Sequence, residues 1–280
     1  VVIAQLPDLI LRPGVHIAVA ATLLIVGLLN PATALASQLA ATGIAFLFGS
    51  LFLLRRIPDQ VYSSAPDYHS GEWGKAILPF TLLAAVGTLN SQIGILFLGW
   101  LGSPKDVAAM QIGMSGSSLV VLFFALINLV ISPHITRAQQ NSDKEKLRKL
   151  SRYSALAALI AALPIGLPLI FFGAPVIQFF YGDEYVNTAV LPLAILAAGQ
   201  IFNVACGPVG QFLTMSGYER DTIFGQVSAL FVNVVLAIML IPKFGAVGAS
   251  LAVAAGLVIW NVVLAVLFRK RLGFMPTILG

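Results

Sequence analysis

The sequence predicts an all-α, multi-pass membrane protein with about eight transmembrane helices. Apolar residues make up 59% of its 280 positions and charged residues only 10%, with a mean hydropathy of +0.95. A soluble domain carries about 25% charged residues. Eight segments reach the roughly 17 to 25 apolar residues that a helix needs to cross a bilayer. They are residues 13–29, 32–54, 76–101, 107–133, 153–175, 189–214, 222–241 and 245–268.

Turn-forming residues separate these segments. Asn30 and Pro31 divide the first two, a Gly-Ser-Pro-Lys-Asp stretch fills 102–106, and Pro242 to Gly245 divide the last two. Four prolines fall inside predicted spans, and we expect them to kink the helices and not to end them, because neighbouring helices can satisfy the freed carbonyls. These prolines are Pro79, Pro164, Pro168 and Pro208.

The basic residues segregate to one side of the predicted alternation. Lys105 and Lys243 lie on the other side. The remaining 14 of the 16 are Arg12, Arg55, Arg56, Lys75, Arg137, Lys144, Lys146, Arg148, Lys149, Arg152, Arg220, Arg269, Lys270 and Arg271. Because cytoplasmic connections are rich in Lys and Arg, both termini are predicted to be cytoplasmic.

An internal similarity predicts a larger two-lobe plan. A shift of 213 residues aligns Ser37, Gly43 and Arg56 with Ser250, Gly256 and Arg269, together with four further identities. Parallel repeats of this kind occur in transporters. We therefore expect residues 1–56 to be the last two helices of an N-terminal lobe, 57–75 a cytoplasmic linker, 76–272 a six-helix lobe and 273–280 a cytoplasmic tail. The chain opens on Val1, so we expect further helices upstream.

Four stretches carry a resemblance to a known family. They are ISPHI at 131–135 before a Lys-rich linker, FYGDEY at 180–185, QFLTMSG at 211–217 and LIPKFGAVGAS at 240–250. With these motifs the chain resembles the polysaccharide-transport (oligosaccharide flippase) family of the multidrug/oligosaccharidyl-lipid/polysaccharide exporter superfamily.

The resemblance implies a fold of twelve or more helices in two lobes, of which this chain is the C-terminal part, from the fifth helix to the twelfth. It implies translocation of a lipid-linked oligosaccharide across the bacterial inner membrane, as in lipopolysaccharide O-antigen synthesis. The implied partners are membrane lipids, that substrate and other polysaccharide-assembly membrane proteins. Nucleic acid is not among them, since the basic residues form no patch.

Uncharged polar residues recur at helical spacing within the spans and form the candidate substrate-binding set. It consists of Gln92, Gln111, Ser115, Gln200, Asn203, Gln211 and Asn233. Amides both donate and accept hydrogen bonds and so suit sugar hydroxyls. The alternative is that these groups hydrogen-bond between helices within the lobe.

Three basic residues are candidates for contact with a substrate diphosphate. Lys75, His134 and Arg137 close the cytoplasmic ends of the third and fourth spans. The alternatives are that Lys75 and Arg137 are positive-inside anchors and that His134 caps a helix end. The basic linker that follows, residues 134–152, is predicted to form a cationic surface helix.

Other functions are disfavoured by what the sequence offers. The short outward connections give no constellation for an enzyme, and Cys206 is the single cysteine, so no catalytic residue, metal ligand or cofactor is predicted. A multidrug or toxin extruder and a lipid II-type flippase share the implied fold. No Asp, Glu, Lys or Arg lies near the middle of a span, and this absence of an acid suited to cation binding favours the oligosaccharide flippase.

Overall fold

The computed structural model describes residues 7–55, 70–141 and 143–275, and in these ranges the regular structure is helical. Within the described residues, six helices are long and apolar enough to cross a membrane. The chain divides into two compact units, Val1–His69 and Ser70–Gly280, which are described one at a time.

The first unit contains a pair of packed helices, α1 (Arg12–Ile25) and α2 (Pro31–Leu54), preceded by one π-helical turn at Pro7–Leu11. Asn30 and Thr33 form a reciprocal capping box that starts α2, with Pro31 in its first turn. Ser37, Ala41 and Ala45 are buried at four-residue spacing, and the Ser37 hydroxyl lies 3.1 Å from the His16 ring. Since α1 has 14 residues, the predicted segment 13–29 is helical only as far as Ile25.

The second unit is a bundle of longer helices. They are α3 (Ser70–Leu101), α4 (Pro104–Ser118), α5 (Leu122–Gln140), α6 (Lys144–Phe171), α7 (Gly173–Tyr181), α8 (Val186–Cys206), α9 (Val209–Met215) and α10 (Glu219–Leu272). A 3₁₀ turn, Leu119–Val121, joins α4 to α5, and a second, Asp183–Tyr185, precedes α8.

Helix α10 is two antiparallel arms joined at Gly245. A straight helix of 54 residues would be about 81 Å long, more than twice the roughly 30 Å hydrocarbon core. Gly245 has a non-helical backbone with φ of +52°. Beyond it Gly248 lies against Leu240, and Gly256 lies against Asn233. The chain thus turns back at the predicted 242–245 break.

Two of the predictions about individual segments are wrong. Pro208 does not kink a continuous helix, since α8 ends at Cys206 and α9 begins at Val209, so the predicted span 189–214 is broken. The basic linker does not form a separate surface helix, because residues from Lys144 onward are the first turns of α6. By contrast, Pro164 and Pro168 lie inside α6, as predicted.

The lobe has one basic end. Leu147, in the basic stretch that opens α6, packs in one buried cluster with Ile135, Leu213 and Leu272. Arg271 donates to Asp221 at 2.7 Å, which holds the two ends of α10 together. Arg137, Lys144 to Arg152 and Arg269 to Arg271 therefore lie at the same end of this unit.

The opposite end is closed by Asp106. Its carboxylate accepts from the hydroxyl and the amide of Ser103 in a capping box and from the backbone N–H of Ala246 at 3.0 Å. A Cβ at Gly245 would collide with the same carboxylate. The turn before α4 and the turn inside α10 are thus joined by one side chain, and the Asp106 carboxylate leaves no room for a side chain at position 245.

We predict that Gly245→Ala lowers thermal stability more than Gly182→Ala does. Both glycines have positive φ, where an alanine costs about 1 to 2 kcal/mol, but nothing lies within 4 Å of a Cβ at Gly182. The clash with Asp106 should add about 1 to 3 kcal/mol at Gly245. Thermal unfolding of the purified protein in detergent measures both, and equal losses would contradict the Asp106 contact.

Candidate functional site

Two adjoining cavities lie inside the second unit. The larger, the mid-lobe cavity of about 390 Å³, is lined by Gly87, Asn90, Ser91, Met114, Ser117, Ser118, Val121, Leu196, Gln200, Gln226, Ala229, Asn233, Val253, Gly256, Leu257 and Trp260. The smaller, the break cavity of about 280 Å³, is lined by Leu83, Phe124, Asn128, Asn203, residues 207–211, Thr214, Thr222, Gln226, Trp260 and Asn261. Gln226 and Trp260 line both cavities, so the two adjoin, and apolar residues with several amides and hydroxyls form their walls.

Glycines make room for the amides of the mid-lobe cavity. Gly87 on α3 faces the amide of Gln226, and Gly256 on the second arm of α10 faces Asn233 on the first. Asn90 donates to the backbone carbonyl of Gln226 at 2.9 Å. Larger residues at the two glycines would push α3 and the arms of α10 apart, so small residues here let the helices approach while the amides stay between them.

Several polar groups in these walls have no partner. Asn233 is only 2% exposed, yet its side-chain oxygen accepts no hydrogen bond, and the same holds for the buried oxygens of Gln226 and Asn128. A buried acceptor without a partner costs about 1 to 3 kcal/mol. Polar groups of this kind normally bind water or a ligand.

The serine hydroxyls of the mid-lobe cavity already donate hydrogen bonds to the backbone. Ser91, Ser117 and Ser118 each donate to a carbonyl three residues earlier in their own helix. A hydroxyl has one proton and two lone pairs, so lone pairs remain for a further donor. These hydroxyls can therefore accept hydrogen bonds from whatever occupies the cavity.

The break between α8 and α9 forms one wall of the smaller cavity. Gly207 has φ of +79° and donates to the carbonyl of Val204, and Pro208 has no N–H to continue the helix. Interrupted helices at membrane depth occur where they are buried in protein or line a polar cavity. The sequence folds this way because only glycine readily takes that φ directly before a proline.

A chain of amides connects the two cavities. Asn261 donates to the side-chain oxygen of Asn203 at 2.9 Å, and Asn203 donates to Gln200 at 3.4 Å. Gln211, beyond the break, donates to the hydroxyl of Ser132 on α5 at 2.6 Å. These contacts fix the orientation of the amides and leave the NH₂ group of Gln200 free to donate into the mid-lobe cavity.

The described residues that line the two cavities include no Asp, Glu, Lys, Arg or His. Nor do the described residues hold a cluster of three or more His, Cys, Asp or Glu that could bind a metal. The walls therefore provide hydrogen bonds and apolar surface but no charge. Their chemistry matches a polar, uncharged ligand.

The structure brings four of the seven predicted substrate residues to these cavities. Gln200 and Asn233 line the mid-lobe cavity, and Asn203 and Gln211 line the break cavity. It does not bring the other three there, because Gln92, Gln111 and Ser115 are exposed on the surface of α3 and α4. On α4 the serines that line the mid-lobe cavity are the buried Ser117 and the exposed Ser118, two and three residues beyond Ser115.

The predicted phosphate residues lie toward the basic end. His134 and Arg137 are exposed on α5. The suggestion that His134 caps a helix end is wrong, since α5 continues through Pro133 to Gln140. Lys75 belongs to α3, but its side chain lies outside the described residues.

Sequence reasoning missed several lining residues. Asn261 stands alone in an apolar stretch, and Trp260 has the same composition signal as any buried aromatic residue. Asn90, beside Ser91, and Asn128, four residues before Ser132, did have polar neighbours at helical spacing that could have marked them. Gln226 did give a signal, because it is seven residues from Asn233 and so shares its helix face.

A comparison with protein families identifies the chain. The MatE family profile matches residues 79–239, more than half of the sequence. The chain belongs to the MatE family. This is a family of transporters in the superfamily of multidrug and polysaccharide exporters, and not a family of enzymes.

Among the relatives of this MatE chain are two proteins of glycan metabolism. It is 21% identical over 168 residues to the probable low-salt glycan biosynthesis flippase Agl15 of Haloferax volcanii, covering 60% of this chain and 35% of that protein. It is 22% identical over 176 residues to the capsular polysaccharide biosynthesis protein CapF of Staphylococcus aureus, covering 63% and 44%. The chain thus spans less than half the length of either relative.

A solved structure shows the fold to which this chain corresponds. It is an outward-facing multidrug resistance MATE transporter, superposed with a TM-score of 0.59 at 22% identity, over 72% of this chain and 45% of that one. The chain is therefore a multi-pass membrane protein with the fold of part of a MATE transporter.

We predict opposite stability effects at two cavity asparagines. Asn261→Leu should destabilise the protein by about 1 to 3 kcal/mol, because it leaves the Asn203 oxygen without its donor. Asn233→Leu should leave stability unchanged or raise it, because it removes an oxygen that has no protein partner. Thermal unfolding in detergent compares the two, and an equal loss at Asn233 would mean that its amide is paired within the lobe.

Proposed function

We propose that this protein is a flippase that moves a lipid-linked oligosaccharide, a precursor of a surface polysaccharide, across the cell membrane. The observation that carries the proposal is the pair of adjoining cavities of about 390 and 280 Å³, whose described lining residues include amides and hydroxyls and no charged side chain. A neutral glycan presents many hydroxyl groups and suits such walls. Relatives named as a glycan flippase and a capsular polysaccharide protein support the same substrate class.

The proposal includes a topology of eight membrane passes. Counting α1 and both arms of α10, and treating α8 and α9 as one interrupted pass, gives this number. Residues 1–56 are then the end of an N-terminal lobe, 57–75 a linker, 76–272 the C-terminal lobe and 273–280 the tail, with both termini cytoplasmic. The common basic end of the second unit supports the orientation, since basic residues concentrate on the cytoplasmic side.

We propose substrate contacts in two places, the cavities and the exposed faces of two helices. Gln200, Asn203, Gln211 and Asn233 act from the cavities. Gln92, Gln111 and Ser115 act from exposed faces of α3 and α4, which we place toward water or protein, because an amide facing hydrocarbon costs several kcal/mol. Partners are then membrane lipids, the lipid-linked glycan and the membrane proteins that assemble the polysaccharide, of which lipopolysaccharide O-antigen is one example.

A multidrug extruder is the competing function, since the solved structure is of such a transporter. An organic cation in a low-dielectric cavity is bound most strongly by a carboxylate or another negative group. The described lining residues include none. Deletion of the gene should therefore abolish surface glycan and leave drug sensitivity unchanged, and drug hypersensitivity with normal surface glycan would refute the flippase proposal.

We propose that Arg137 contacts the diphosphate of the lipid-linked substrate. Variants of two exposed basic residues at the same end of the lobe test this contact. At normal membrane abundance, Arg137→Ala should reduce glycan export several-fold, because a diphosphate contact depends on position and donor geometry. Lys146→Ala should leave export unchanged, because an anchoring charge is one of many. Surface glycan measured after complementation of a deletion strain decides between them.

Arg137→Lys is the control for charge alone. Because lysine cannot reproduce the two-pronged contact of a guanidinium, it should restore export only in part. Full glycan export by the Arg137→Ala variant would show that Arg137 serves only as a positive charge that orients the protein in the membrane. His134→Ala and Lys75→Ala extend the test to the other two candidates.

A further inference from the structure

We propose that Trp260 and the amides around it form a subsite that binds one neutral sugar ring of the translocated glycan. This inference rests on the proposed flippase function for the source of the sugar. It assigns to the interior of the C-terminal lobe a recognition task separate from contact with the lipid diphosphate. The three observations that support it are the setting of the indole, the unpaired amides and the absence of charge.

The indole of Trp260 lies close to two glycines, Gly210 and Gly225. A Cβ built at Gly210 on α9 would lie 3.1 Å from the ring atom Cζ2, and a Cβ at Gly225 on α10 would lie 3.4 Å from Cε3. Trp260 contributes to both cavities from this position. Its N–H makes no hydrogen bond to the described residues. The two glycines therefore leave room for the indole at the cavity wall, and its polar edge is available to a ligand.

An aromatic ring that lines a cavity beside amides suits one face of a sugar. The electron-rich face of the indole attracts groups with partial positive charge. The C–H groups on one face of a pyranose are such groups, and they are apolar enough to leave water readily. A sugar stacked on Trp260 would thus bury its C–H face and direct its hydroxyls toward the surrounding amides.

The amides supply both kinds of hydrogen bond that a sugar needs. Gln226 and Asn233 have unpaired buried oxygens, and no side-chain hydrogen bond of either amide is present among the described residues. Gln200 keeps a free NH₂ group. Each hydroxyl both donates and accepts, so these groups can pair with neighbouring hydroxyls of one ring.

The absence of charge separates a sugar from a diphosphate, because a diphosphate needs cationic donors and the described lining residues offer none. An organic cation would also be attracted to the face of an indole, so the test below includes an ammonium ion. The mid-lobe volume of about 390 Å³ lies within the roughly 300 to 1,000 Å³ of small-molecule pockets. One ring of the glycan is therefore placed inside the lobe, and its diphosphate is left outside.

The test uses the fluorescence of Trp260 alone. The chain has three tryptophans, so Trp73→Phe with Trp100→Phe leaves Trp260 as the only one in this sequence, and any tryptophan encoded elsewhere in the gene is also changed to Phe. The protein, expressed from its whole gene and reconstituted in nanodiscs, is titrated with 4-nitrophenyl glycosides of the sugars in the organism's own surface glycan. The nitrophenyl group quenches an indole that it approaches. 4-Nitrophenyl phosphate and (4-nitrobenzyl)trimethylammonium are titrated in parallel.

We expect saturable quenching by at least one glycoside, reversed by the same free sugar, and none by the phosphate or the ammonium ion. Gln226→Met should weaken glycoside binding about three- to tenfold, because it removes one or two hydrogen bonds while keeping the side-chain size. Gln140→Met is the matched control, since this exposed glutamine at the end of α5 lines neither cavity and is not among the proposed substrate contacts, and it should leave binding unchanged. Trp260→Phe keeps an aromatic ring and should retain glycan export in part.

Two results would overturn the subsite: no saturable quenching by any glycoside of the set, or saturable quenching by the ammonium ion alone. With normal glycan export in cells, either result removes the subsite and leaves the flippase function intact. If the glycosides bind but deletion of the gene leaves surface glycan unchanged, the flippase proposal fails although the sugar site stands.

Discussion

The hydrocarbon of the bilayer offers no hydrogen bonds, and this constraint governs how the lobe is built. A polar group that faces lipid without a partner costs several kcal/mol, so the backbone is helical and the polar side chains turn inward where they can. Inside the lobe, Asn261, Asn203 and Gln200 satisfy one another in a chain. Gln226, Asn233 and Asn128 remain unsatisfied by protein, which makes the cavity a place where water or substrate must supply donors.

The cavity exists because glycines are placed where helices meet. Gly87 and Gly256 let α3 and the two arms of α10 approach without covering Gln226 and Asn233, and Gly210 and Gly225 hold the indole of Trp260. The same residue type produces the two interruptions of the helices. Gly207, before Pro208, opens the wall of the break cavity, and Gly245 turns α10 back on itself. Small residues thus set both the closeness of the helices and the space that remains between them.

The sequence predicts the helical passes and the polar faces better than it predicts the site. Long apolar runs and the segregated basic residues are properties of single segments, and the turn at Gly245 follows from the residues around it. Periodicity also shows which residues share a helix face, as for Gln226 and Asn233. It does not show which neighbour that face meets, and so Gln92 and Gln111 proved to be exposed. Trp260 and Asn261 depend wholly on tertiary contacts.

Cysteine protection tests the central claim, that the glycan enters the uncharged interior of the lobe. Cys206 is the single cysteine of this chain, so Cys206→Ala gives a background free of thiols in it, into which Gln226→Cys or Gln140→Cys is introduced. We expect a small neutral thiol reagent to modify both positions and lipid-linked glycan to slow the reaction at 226 but not at 140, which is exposed and lines neither cavity. A thiol at 226 that reacts equally fast with and without glycan, in a protein that still exports it, would contradict the claim.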